Sequence, residues 1–266
     1  MVPVRLQLAA IALGLLLPLA ASAEARIAAA WLLERDGVVD SEHHADTHLP
    51  AASLGKLMTA VLWLQQPGRL EQTLSISKRA ASATGARAGL GQGERYLGRD
   101  LLSAMLVRSA NDACIALAES ASPSVESFVR DMNRAVEVLK LSDTRFVNPC
   151  GWDADGQYSS ARDLLKLAQL AMEYPEISAA VARREFLLES TDGKQSRLLH
   201  NTNLLLGNLD GVRGVKTGFT AKAGKCLIAL AERGPHQVWL VLLGAPERWW
   251  TAHAMIDEAL GAGLTH

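Results

Sequence analysis

Hydrophobic positions change period twice along the chain. The apolar run Ile27 to Leu33 and the segment from Val38 onward flank Asp36-Gly37, the turn chemistry of a β-hairpin. After a polar loop ending at Pro50 the period becomes helical. Leu54, Leu57, Met58, Val61 and Leu62 fall at i, i+3, i+4, i+7 and i+8, which predicts a buried helix opening at Ser53. Gln66-Pro67-Gly68 stops it. The middle of the chain reads as mostly helical. Leu101, Leu102, Met105 and Leu106 form one stripe, and Val125, Phe128, Val129, Met132, Val136 and Leu139 form another. Ser160 with Asp163 has capping-box spacing and opens a helix through Leu164, Leu167, Ala168 and Met172. A turn-rich loop runs from Asn148 to Gly156. Extended segments then return at Gly214 to Thr220, Cys226 to Ala231 and Val238 to Leu243, the last two around Arg233-Gly234-Pro235. A final helix starts near Glu247 and carries Ala252, Met255, Ile256 and Leu260.

Strands at both ends with helices between predict an α+β fold. One mostly antiparallel sheet is built from the two ends, a helical lobe of roughly residues 57–190 is inserted, and a cleft lies between them. Arg5, the apolar run Leu6 to Ala20 and the small residues Ala21-Ser22-Ala23 read as a signal peptide, residues 1–23, cut before Glu24. That run is shorter than the ~20 residues a spanning helix needs. Residues 24–266 then form one catalytic domain, soluble in the periplasm or otherwise outside the cytoplasm, with no strong membrane anchor. Composition adds little: 49% apolar and 21% charged residues are ordinary globular values. The net charge of -1 argues against nucleic acid as a partner, so a local site must recognise the substrate. Three cysteines cannot all pair. Cys114 and Cys226 lie in apolar runs and read as small core residues, Cys150 lies in a turn, and no bridge is expected.

Three short motifs carry candidate chemistry. In Ser53-x-x-Lys56 the i, i+3 spacing lets an amine reach a hydroxyl, and a neutral amine can take the hydroxyl proton. A second match, Ser75-x-x-Lys78, lies in a polar stretch and reads as surface. Ser109-Ala110-Asn111 sits where one predicted helix ends and the next begins. Ser109 could shuttle a proton and Asn111 hold an amide, or the segment, with Asp112, could serve only as a helix cap. Lys216-Thr217-Gly218 falls on a predicted strand. It offers a fixed cation, a hydroxyl and a position where a ligand backbone can come close. Alone, its lysine reads as a solvent-facing edge residue.

Together these motifs resemble the set found in penicillin-binding proteins and class A β-lactamases. The chain is similar to the serine D-alanyl-D-alanine carboxypeptidases of low molecular mass (peptidase family S11). Further stretches share the likeness: Ser53-Leu-Gly-Lys-Leu-Met-Thr-Ala60, Ser109-Ala-Asn-Asp-Ala113, Asn148-Pro-Cys-Gly-Trp-Asp153, Gly156-Gln-Tyr-Ser-Ser-Ala-Arg-Asp163 and Asp210-Gly-Val-Arg-Gly-Val-Lys-Thr-Gly-Phe-Thr220. Gly55 stands where that family commonly has Thr, Cys150 and Trp152 where it has His and Leu, and Phe219 where it has His or Tyr. Counterparts of the family's C-terminal β domain and amphipathic helix are not expected, which brings the short endopeptidase members close.

The resemblance implies an acyl-enzyme on Ser53, with Lys56 as base and Ser109 and Asn111 completing the catalytic network. Lys216, Thr217, Gly218, Phe219 and Arg248 are the implied substrate-binding residues, with the Ser53 and Phe219 N–H groups as the oxyanion hole. A Lys216 ammonium ~6 Å from Lys56 would keep Lys56 neutral through about 3 kcal/mol of repulsion at an effective dielectric of ~20. No cofactor or metal is implied. The substrate is a peptidoglycan pentapeptide, and β-lactams are covalent inhibitors. A D,D-endopeptidase is the alternative. A class A β-lactamase would need a Glu-x-x-x-Asn after the Ser109 motif, and the corresponding region carries Asn148-Pro-Cys-Gly-Trp-Asp153 without it. Glu137 reads as a solvated helix face. A zinc peptidase on His43, His44 and His48, and a non-catalytic peptidoglycan sensor, are further readings with less support.

Overall fold

The computed structural model describes residues 27–261. The signal peptide expected at residues 1–23 lies outside them. The chain opens with β1 (Ala30–Arg35) and β2 (Val38–His43). A short 3-10 turn, Ala52–Gly55, leads into α1 (Lys56–Leu64). The lobe follows: β3 (Thr73–Ser75), α2 (Lys78–Ala81), β4 (Arg95–Leu97), α3 (Gly98–Val107), α4 (Asn111–Ala121), α5 (Val125–Val138), α6 (Ala161–Met172) and α7 (Pro175–Val181). Next come β5 (Glu185–Glu189) and β6 (Ser196–His200), then β7 (Val212–Thr220), β8 (Gly224–Arg233), β9 (His236–Leu243) and α8 (Arg248–Gly261).

The main sheet has the order β2-β1-β9-β8-β7, with every neighbour antiparallel. Both chain ends build it, as expected for the α+β class. Asp36 and Gly37 both adopt positive φ, the backbone that a tight hairpin of this twist requires. Strands β8 and β9 are covered on both faces, so they read as unbroken apolar runs. Leu227, Ala229, Leu240 and Leu242 pack under Ala252 and Ile256 of α8. The alternate residues Cys226, Ile228, Val241 and Leu243 join the core shared with α1, α3 and α6. β7 is the last strand of the sheet and borders the lobe, leaving an edge available to an extended ligand.

The lobe differs from its sequence reading. It contains two small two-stranded antiparallel sheets, β3-β4 and β5-β6, where mostly helices were expected. β3 and β4 are three residues long, too short to show a period. In β5 and β6, Leu187 and Leu198 pair directly across the strands and are both exposed, while Leu188 and Leu199 are buried, so alternation is hidden. The cysteine expectation is also corrected. Cys114 of α4 and Cys150 form a disulfide, and Cys226 remains a buried thiol. The two half-cystines are 36 residues apart, and only packing α4 against the Asn148 loop brings them together.

Candidate active site

Ser53 lies in the 3-10 turn, one step before the α-helix it was expected to open. Three residues per turn eclipse positions i and i+3, so Lys56 lies directly below Ser53. The Lys56 Nζ is 2.7 Å from Ser53 Oγ. The same nitrogen donates to Asn111 Oδ1 at 2.8 Å and to the Cys150 carbonyl at 2.5 Å. Lys56 is wholly buried and Ser53 half-buried. Ala52, just before the serine, has φ 49°, a left-handed conformation that costs a non-glycine residue about 1–2 kcal/mol. Gly55 packs beneath Phe146: a β-carbon there would come within 2.9 Å of its ring, which accounts for the missing Thr.

Ser109 occupies the link between α3 and α4, with φ 60°. Its Oγ accepts from Lys216 Nζ at 2.8 Å. The capping alternative fails for Ser109, because Ala110 is the N-cap and the Ser109 hydroxyl meets Lys216 instead. Lys216 is wholly buried, contrary to the solvent-facing reading, and also donates to the Thr217 carbonyl at 3.0 Å. Thr217 Oγ1 lies 2.5 Å from Thr202 Oγ1. Gly218 serves the fold as well as a ligand: a β-carbon would come 2.9 Å from Ala52 Cβ and 3.2 Å from the Ser53 nitrogen. Phe219 is 67% exposed at the mouth of the cleft. Arg248 donates from Nη1 to the carbonyls of Gly218 (2.7 Å) and Cys226 (3.1 Å), and its buried Nε has no partner.

Two amines are thus buried close to the same serine turn. Burial is the largest influence holding the Lys56 amine well below its ordinary 10.5. The Lys216 charge is second, and Asp112 opposes both. The order reverses the sequence argument, which rested first on repulsion. Burial likewise brings Lys216 down to about 7, helped by Arg248. In the unfolded chain Lys216 keeps its proton to about 10.5, so between these values the unfolded state binds more protons. Stability contributed at this position therefore rises with pH above 7, by up to about 1.4 kcal/mol per pH unit. Urea unfolding of wild type and Lys216→Met at pH 7, 8 and 9 should show wild type gaining on the variant at each step. Parallel curves would refute it.

Sequence reasoning missed several contributors. The Cys150 carbonyl has no side-chain signature. Asp112, read only as a possible cap, accepts from the N–H groups of Ala88, Gly89, Leu90 and Ala113. With Asn111, whose Nδ2 donates to Thr84 O, it ties a loop beside the site. Its position next to Asn111 was the available signal. Thr202 belongs to the Asn201-Thr202-Asn203 turn and had none. Ser75 and Lys78 of the rival motif are both exposed, as is Glu137. His48 stacks on Tyr158 and pairs with Asp143. Among the described residues no group of His, Cys, Asp or Glu is arranged to hold a metal ion.

An antiparallel sheet with a helical lobe, and three motifs converging on one buried amine pair, define the penicillin-binding, transpeptidase-like class. The solved structure of the Streptomyces K15 DD-transpeptidase superposes with a TM-score of 0.82 at 29% identity, covering 88% of this chain and 97% of that one. The D-alanyl-D-alanine carboxypeptidase DacF of Bacillus subtilis is 36% identical over 246 residues, 89% of this chain. The chain spans 63% of that relative's length. A D-alanyl-D-alanine endopeptidase of Pseudomonas aeruginosa is 30% identical over 80% of this chain and 69% of its own. The sequence profile of the D-alanyl-D-alanine carboxypeptidase family, peptidase family S11, matches residues 20–247, and the chain belongs to that family.

Proposed function

We propose that this protein is a serine D,D-peptidase that removes the terminal D-alanine from peptidoglycan stem peptides. One observation carries the reading: the surroundings of Lys56 Nζ. A neutral amine has two N–H donors and one lone pair. Asn111 Oδ1 and the Cys150 carbonyl accept the two N–H groups, so the lone pair is left facing Ser53 Oγ at 2.7 Å. Burial supports the neutral form that a base requires. Ser53 Oγ attacks the carbonyl carbon of the penultimate D-alanine as its proton passes to Lys56. The N–H groups of Ser53 and Phe219 hold the developing oxyanion. The C–N bond then breaks, and the proton returns through Ser109 to the leaving amine. Lys216, Thr217 and Arg248 hold the terminal carboxylate, with Gly218 and Phe219 lining the strand edge. Water, attacking the ester, regenerates Ser53. β-Lactams present an amide at the same place and acylate the same oxygen.

The endopeptidase reading, in which the leaving amine belongs to a cross-bridge, is favoured by the Pseudomonas relative. Export by residues 1–23, with residues 24–266 acting as one catalytic domain outside the cytoplasm, completes the proposal. Among the described residues no helix is long and apolar enough to cross a membrane. Mass analysis of digested muropeptides tests the reaction. Loss of one alanine from pentapeptides is expected, whereas conversion of dimers to monomers alone would favour the endopeptidase. Ser53→Ala should give neither product and take no labelled penicillin. Undiminished turnover by that variant would refute the acyl-enzyme.

A further inference from the structure

We infer that the Cys114–Cys150 disulfide is a positioning element of the active site, which makes acylation of Ser53 depend on its oxidation state. The inference rests on the proposed role of Lys56 as base. The two groups that occupy the Lys56 N–H directions come from distant parts of the chain, Asn111 Oδ1 from α4 and the Cys150 carbonyl from the Asn148 loop. Cys114 follows Asn111 by three residues on α4, one helical turn away. The disulfide therefore joins the residue bearing one acceptor to the turn bearing the other, behind the amine.

The loop has its own hydrogen bonds. Asn148 Oδ1 accepts from Cys150 and Gly151 N–H, Gln157 Oε1 accepts from Val147 and Asn148 N–H, and Thr59 Oγ1 donates to the Pro149 carbonyl. These shape the turn and rest it on α1. None of them joins the turn to α4. The half-cystines are both essentially inaccessible, so the bond lies in the core, and the Cys150 backbone carries it to the Lys56 amine. Without it the Cys150 carbonyl and Asn111 can separate. The Lys56 lone pair is then no longer confined to the direction of Ser53. A chain whose cysteines are still reduced would carry all the catalytic residues and an incomplete site.

The test compares oxidised protein with two forms that lack the bond. One is Cys114→Ser combined with Cys150→Ser. The other is wild type unfolded in urea with dithiothreitol, which gives two electrons and two protons to the disulfide, leaving two thiols and its own cyclic disulfide, and then refolded in its presence. Alkylation and mass measurement after denaturation count one thiol, that of Cys226, in the oxidised protein and three in the reduced one. Acylation by a fluorescent penicillin is followed over a concentration series at a temperature well below each unfolding midpoint. The expected result is a fall in the limiting acylation rate of about tenfold or more, with the half-saturating concentration little changed. Reoxidation of the reduced wild type should restore the rate. A disulfide that only stabilises the fold would lower the midpoint and leave the limiting rate as it was. That outcome, in either form, would overturn the inference. Labelling of oxidised wild type reads the proposed function, and the ratio of the two rates reads the role of the disulfide.

Discussion

Lys56→Met is expected to slow acylation of Ser53 by about 10²- to 10⁴-fold, the usual contribution of a positioned base. Its effect on stability should be far smaller, because two changes oppose each other. Methionine removes a wholly buried amine whose charged form burial disfavours. It also leaves the Cys150 carbonyl and Asn111 Oδ1 without the donor they have, and each unsatisfied buried group costs about 1–3 kcal/mol. Lys56→Arg separates base from charge. A guanidinium stays protonated and cannot accept the serine proton, so this variant should be as slow as Lys56→Met although it keeps a donor. Time courses of labelled penicillin, with circular dichroism as the folding control, read both effects. Should either variant acylate within tenfold of wild type while folded, another group takes the proton. In wild type the acid limb of the acylation profile should report protonation of Lys56, displaced well below the ordinary lysine range. Acylation should fade as pH drops through that value.

Gly151→Ala carries the second large effect, on stability and rate together. Gly151 has φ 82°, and its added β-carbon would lie 1.9 Å from the Ala52 carbonyl oxygen, 2.5 Å from that carbonyl carbon and 3.0 Å from Ser53 Cα. All three atoms are backbone, so no side-chain rotation relieves the overlap. The left-handed conformation costs about 1–2 kcal/mol, and forced displacement of packed groups typically adds about 1–3 kcal/mol. A loss of about 3 kcal/mol would lower the unfolding midpoint by roughly 6–12 °C in a domain of this size. The turn that must yield carries Ser53, and a shift on the order of 1 Å at a reacting atom can slow a step about 10²-fold. Gly37→Ala is the matched control. It has the same φ of 82° with nothing within 4 Å of the added carbon, so only the conformational cost applies. Thermal unfolding and penicillin acylation of the two variants should diverge sharply. If they match, the close approach of the Asn148 loop to the serine turn has no energetic weight.

The site was legible wherever its chemistry is local. Ser53 and Lys56 are three residues apart, and a single turn brings them together whether that turn is α or 3-10. Ser109 was recognisable by its place between two apolar stripes. It was not clear whether it capped a helix or faced a ligand, because both uses need a hydroxyl at a helix junction. Lys216 was legible as part of a motif set, although its strand alone reads as an exposed edge. Its burial comes from the serine turn and α7 packed on β7 and from the α3–α4 link that carries Ser109, and nothing in its own strand announces that. The covered β8 and β9 strands were found from their apolar runs, while the two small lobe sheets were lost, β3-β4 because its strands are short and β5-β6 because leucine fills exposed and buried positions alike.

The amino-acid sequence by itself determined the class of fold and the order of its layers, which follow from periodicity acting within a few residues. Its motifs, through the family they resemble, named the candidate reacting side chains. Tertiary structure alone decided how those side chains are poised. The Cys150 carbonyl meets Lys56 across 94 residues, Ser109 meets Lys216 across 107, and Thr202 meets Thr217 through side chains that no pattern links. A backbone carbonyl has no residue identity to read. Desolvation, the largest influence on both lysines, is a property of everything packed around them.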